Sequence, residues 1–178
     1  MSTRLVTGVG KWTVIEDFVA LSNFTSKIFT ISPPIDFTKD SMLVMEMEII
    51  SLSGTGNRVA ISVNGIDAGL VYFLDGVTIK GGVKTILDIN GQSNWVIADL
   101  DLFADVDDVV HAIVYFSLNQ LNNEIKIQSF AHGVQQTAHQ VLSGVLTTSQ
   151  TEINKISLFP FSVGLKAGSR ITIYRIPR

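Results

Sequence analysis

The chain has 178 residues, no cysteine and a formal net charge of −3, from 13 basic and 16 acidic side chains. Its length suits one domain, 1–178, built around a single core. Without cysteine neither a disulfide framework nor a zinc–thiolate site can form, and a pI near 5.5 argues against a nucleic-acid binder that neutralises phosphates.

Charged residues make up 16% of the chain, below the roughly 25% of an average globular protein. Uncharged polar side chains fill the gap, with 46 Ser, Thr, Asn and Gln residues against 29 charged ones. Apolar residues at 46% and a mean hydropathy of +0.35 exclude disorder. No apolar run approaches the ~18 residues that span a bilayer, so membrane insertion is not expected. The first twenty residues carry Arg4, Lys11, Glu16 and Asp17 and show no apolar signal region. Synthesis in a cytoplasm is the expectation.

Ile and Val number 39, Leu and Ala only 24, and β-branched side chains pack better on a pleated surface than on a helix. In chain order the reading gives strands over 11–20, 27–31, 42–51, 57–63, 69–74, 77–80, 83–89, 94–98, 109–117, 123–130, 139–147, 152–159 and 169–176. The clearest alternation is Leu43 to Ile49, where Leu43, Met45, Met47 and Ile49 face one way and Glu46 and Glu48 the other. Val59, Ile61 and Val63 repeat it, as do Ile125 with Ile127 and Ile171 with Ile173. Pro33-Pro34 reads as a loop. Asn64-Gly65, Asp75-Gly76 and Asn90-Gly91 read as hairpin turns, and Gly81-Gly82 as a further break. Residues 133–142 fit a strand or a short helix, with strand preferred. Residues 99–108 fit an acidic helical turn equally well. Many short antiparallel strands need two facing sheets. The expected fold is all-β, an antiparallel two-sheet sandwich of jelly-roll type.

Candidate chemistry is sparse. Asp99, Asp101, Asp105, Asp107 and Asp108 place five carboxylates in ten residues, a composition that could ligate Ca²⁺. The EF-hand spacing fails there, and a solvated loop with turn-capping aspartates is the simpler reading. Glu46 and Glu48 share one strand face. A glycosidase needs such a pair, but an outward sheet face explains it more simply, and the apolar Val44 and Ile50 beside them suggest an interface. His111, His132 and His139 form no metal motif; an extended 132–139 would send the last two to opposite faces. No nucleophile elbow and no phosphate-binding glycine loop is present. Trp95, after the polar Gln92-Ser93-Asn94, is the best candidate for an exposed ring that stacks on a sugar.

The closing residues Ile153-Asn154-Lys155-Ile156-Ser157-Leu158-Phe159-Pro160-Phe161 and Ala167-Gly168-Ser169-Arg170-Ile171-Thr172-Ile173-Tyr174-Arg175-Ile176 carry a resemblance. So do Trp12-x-x-Ile15-Glu16, Ser26-Lys27-Ile28-Phe29, Ile35-Asp36-Phe37 and Val59 to Gly65 followed by Tyr72. Together they resemble small β-sandwich virion proteins of tailed bacteriophages, although that group ends more often in Tyr-Gly than in Tyr174-Arg175. The resemblance leaves 99–150 uncovered and transfers no catalytic residue. It implies a non-enzymatic subunit of a bacteriophage particle, made in the host cytoplasm and located in the virion. Its role would be capsid decoration or a tail-fibre or baseplate surface module. Its partners would be further copies of itself, trimers being common among such sandwiches, and other virion proteins. The alternative is a carbohydrate-binding, receptor-binding module for a host-surface glycan, with Ca²⁺ as the one cofactor considered.

Overall fold

The computed structural model describes residues 12–52, 58–66, 71–98, 107–135, 137–160 and 164–177. Twelve strands run in order: β1 (Thr13–Val19), β2 (Lys27–Asp36), β3 (Asp40–Ile50), β4 (Val59–Val63), β5 (Tyr72–Lys80), β6 (Val83–Gln92), β7 (Trp95–Ala98), β8 (Val109–Asn119), β9 (Glu124–Gly133), β10 (Ala138–Leu146), β11 (Glu152–Pro160) and β12 (Arg170–Pro177). They form an eight-stranded sheet, β1-β12-β3-β8-β9-β10-β5-β6, and a four-stranded sheet, β2-β11-β4-β7. All pairings are antiparallel. The chain is thus an all-β, jelly-roll-like sandwich, and among the described residues there is no helix.

Alternation builds the core. Leu43, Met45, Met47 and Ile49 of β3 turn inward beside Val110, Val114 and Phe116 of β8 and Ile125 and Ile127 of β9. Ile156 and Leu158 of β11 and all five residues of β4 are buried in the smaller sheet. Tyr72 is enclosed with its hydroxyl satisfied: it accepts from the Val63 amide at 2.9 Å and donates to the Ile66 carbonyl at 3.0 Å. A buried phenol without such partners would cost about 1–3 kcal/mol.

Four local expectations give way to pairing. Asp75-Gly76 is not a turn: β5 runs through it, with Asp75 opposite Ser143 and Asp88, and Gly76 opposite Leu142 and Leu87. Asn90-Gly91 lies inside β6, where the register slips between Tyr72 and Leu74, so an extra residue is absorbed as a bulge at Gly91 with φ of 64°. Pro33-Pro34 lies inside β2, where the pairing with β11 is irregular between Ile153 and Lys155. Proline lacks an N–H to donate, and this gap in the ladder is where it is tolerated. Finally, 133–142 divides into the end of β9, a tight reversal with Thr137 at φ of 46°, and the start of β10. Gly81-Gly82, with φ of 55° and 81°, forms the two-residue reversal that joins β5 to β6.

Candidate functional site

The register of the large sheet aligns side chains into rungs across its outer face. One rung runs Asp17, Thr172, Glu46, Ile113, Phe130, Val141, Val77, Ile86. Its neighbour runs Arg170, Glu48, His111, His132, His139, Ile79, Lys84. A third includes Tyr174, Val44, Tyr115 and Gln128. Each face residue therefore comes from a different strand, at cross-strand distances of about 5 Å.

An open groove of about 570 Å³ follows these rungs over β12, β3, β8 and β9. Glu46, Glu48, Arg170, Thr172, Tyr174 and His111 supply its polar lining, with Ile113 and Phe130 along one side. The Tyr174 hydroxyl donates to Glu46 Oε2 at 2.9 Å. Partial burial, and then this bond to Glu46, raise the Tyr174 pKa. Arg170 is held in place by a two-pronged contact with Asp17, Nε to Oδ1 at 3.0 Å and Nη2 to Oδ2 at 2.8 Å, and Thr172 donates to the same carboxylate at 3.1 Å. The Arg170 contact is the main reason that the Asp17 pKa falls below its ordinary value. His111 Nδ1 lies 4.0 Å from Glu48 Oε2. Phe130 is 45% exposed and meets Tyr115 edge-on at 6.1 Å between ring centres. Two carboxylates able to accept from vicinal hydroxyls, a fixed guanidinium and an exposed ring are the chemistry that holds a polar ring with one apolar face.

The predicted site residues divide sharply. Glu46 and Glu48 meet in this groove. Val44, offered as a reason for an interface, is buried within the chain itself, between Tyr174 and Tyr115 in the register. Trp95 corrects the expectation of an exposed ring: it is completely buried on the inner side, and its indole Nε1 donates to Ser129 Oγ at 3.3 Å. Of the polar residues before it, Gln92 ends β6 and Ser93-Asn94 link it to β7, whose first residue, Trp95, faces the core. Asp99, Asp101 and Asp105 lie outside the described residues. Asp107 forms an ion pair with Lys166, and Asp108 is buried with its carbonyl accepting from the Ser51 amide at 3.0 Å. Among the described residues no group of three or more His, Asp or Glu is placed to hold a metal ion.

The histidines also differ from expectation. Because the chain reverses between them, His132 and His139 are direct cross-strand partners on one face, stacked at 4.6 Å and 15°. With His111 in the same rung, all three histidines of the chain stand side by side. Tyr174 reads from the sequence as a ring that could stack on a sugar, whereas Arg170, Thr172 and Phe130 carry no signal that marks a site. Their alternation on two strands was visible, but which strands are neighbours is a matter of topology.

No protein-family model matches the chain, and no curated protein matches it in sequence. Among solved structures it is similar to a GH43 glycoside hydrolase at 11% identity and a TM-score of 0.34, covering 78% of this chain and 29% of that one. It is similar to lectin I-B4 of Griffonia simplicifolia in its metal-free form, at 9% identity and a TM-score of 0.38, covering 94% and 90%. It is also similar to a tail fibre protein of an E. coli phage, at 10% identity and a TM-score of 0.30, covering 94% of this chain and 21% of that one. The chain thus spans less than a third of the hydrolase and about a fifth of the tail fibre protein. At these scores the likeness carries no argument about function.

Proposed function

We propose that this chain is a non-catalytic recognition module that holds a saccharide in the groove on the outer face of its large sheet. The observation that carries this reading is the groove that Glu46, Glu48 and Arg170 line on β3 and β12 and the exposed ring of Phe130 lines two to three strands away on β9. Glu46 and Glu48 accept sugar hydroxyls, Arg170 donates from a position fixed by Asp17, and Phe130 stacks on the C–H face of the ring. The groove is open and shallow, which suits a terminal or internal residue of a longer glycan. A glycan array with the purified chain tests this. Binding should appear for a restricted set of glycans and fall at least tenfold in Phe130→Ala and in Glu46→Gln, with the fold intact by circular dichroism. No signal on any glycan, or binding indifferent to both substitutions, removes this reading.

A place on the surface of a bacteriophage particle is the second reading, supported by the terminal resemblance together with the exposed apolar residues at one end of the same face. Ile86, Ile79 and Phe73 remain open to solvent there. Mass spectrometry of purified particles decides it; a chain absent from the particle is not a virion subunit.

A further inference from the structure

Beyond the groove, the eight-stranded sheet ends in a strand that is unusual for an isolated chain. β6 is the terminal strand of that sheet, and the run from Val83 to Asp88 is exposed on both faces, with only Leu87 partly covered. Ile86 is 75% and Val83 68% exposed. Among the described residues no strand pairs with the outer edge of β6. Long, apolar, unpaired edges recruit other strands, and proteins ordinarily blunt them with proline, charge or a covering loop.

The backbone of β6 says which residues would pair. Lys80 and Val83 flank the Gly81-Gly82 turn and are register partners. In a two-residue turn the flanking pair is the hydrogen-bonded one. Alternation then makes Lys84, opposite Ile79, and Ile86, opposite Val77, non-hydrogen-bonded pairs, and likewise Asp88, opposite Asp75. Lys84, Ile86 and Asp88 therefore direct their N–H and C=O groups away from β5, toward a strand that would lie alongside. Their side chains share the outer face of the sheet.

We propose that β6 pairs with β6 of a second copy of this chain, antiparallel about a two-fold axis at Ile86, joining two large sheets into one. In that register Ile86 opposes its own counterpart, and Lys84 opposes Asp88 of the other copy, twice. The opposite-charge pairs select this register. An axis at Lys84 would set lysine against lysine, and one at Asp88 aspartate against aspartate, which is unfavourable directly across strands. Within the chain Asp88 already faces Asp75, so a lysine from the partner copy brings a positive charge next to two negative ones. The two-fold axis is perpendicular to the sheet, so both grooves face the same way. They lie ten strand positions apart, roughly 50 Å along the sheet, a spacing at which one glycan-bearing surface can engage both. The pairing itself does not depend on the saccharide reading.

Sedimentation and light scattering of the intact chain test the proposal. A dimer of about twice 19.4 kDa is expected. Lys84→Asp should weaken it at least tenfold, and the double exchange Lys84→Asp with Asp88→Lys should restore it. The chain has no cysteine, so Ile86→Cys provides a second measurement. In a hydrogen-bonded antiparallel pair the facing Cα atoms are about 5.5 Å apart, within disulfide reach. Mild oxidation should link two chains through residue 86 but not in Lys84→Cys. A monomer near 100 μM, a trimer, an oligomer indifferent to Lys84→Asp, failure of the exchange to restore pairing, or no cross-link at 86 would each overturn it. Loss of glycan binding with the dimer intact would count against the groove alone.

Discussion

Tyr174 shows how much a single side chain of the groove depends on its surroundings. Its ring meets Trp12 edge-on at 5.5 Å, and its hydroxyl is bound to Glu46. Burial and the adjacent carboxylate both favour the neutral phenol, so its folded-state pKa lies above the ordinary 10.0. A raised pKa means that the associated stability is complete below about pH 10 and is lost as pH rises through the folded-state value. Absorbance titration at 295 nm should therefore show a late-ionising contribution that Tyr174→Phe removes. Glu46→Gln removes the charge but not the burial, so the step should move down without reaching the ordinary value. An unchanged titration would mean that Glu46 does not govern this site.

At the scale of elements, the chain shows how far local patterns reach. The alternation in β3, β9 and β12 is legible because one face of each meets the core and the inward period is two, whereas β4 alternates in sequence yet is buried on both faces. Turn dipeptides were less reliable. Asn64-Gly65 does form a reversal, Asn64 at φ of 55° and Gly65 at 72°, whereas Asp75-Gly76 lies extended between two neighbouring strands. The glycine there answers a different demand. A Cβ on Gly76 would sit 2.1 Å from the Val141 carbonyl oxygen, and one on Gly144 would sit 1.9 Å from that of Phe73. The β5–β10 pair approaches closely at both points, and the intruding atom would meet backbone, which cannot swing aside. Gly144→Ala should accordingly cost about 2 kcal/mol or more, read as a lower urea midpoint at unchanged slope. A midpoint unaltered by the substitution would show that the strands can separate there without cost.

Taken as a whole molecule, the sandwich is held by a core to which both sheets contribute, with Trp95 its largest fully buried side chain. Trp95→Ala should destabilise the chain by about 4 kcal/mol and remove the emission of the enclosed indole, leaving that of the exposed Trp12. Were glycan binding lost while the thermal midpoint stayed the same, Trp95 would be a contact residue, contrary to its burial. The class of fold was determined by the sequence alone: β-branched composition, two-residue alternation and frequent turn signals leave no other economical way to bury the apolar faces. So was the exclusion of thiol chemistry. Only the tertiary structure decided that Trp95 points inward, that three histidines stand in one rung, and that Glu46 and Glu48 meet Arg170, Tyr174 and Phe130. Alternation tells which side of a strand a residue occupies; it is silent on which strand lies alongside. In an antiparallel sheet whose adjacent strands are far apart in sequence, as β12 and β3 are, a site built across strands comes into being with the pairing.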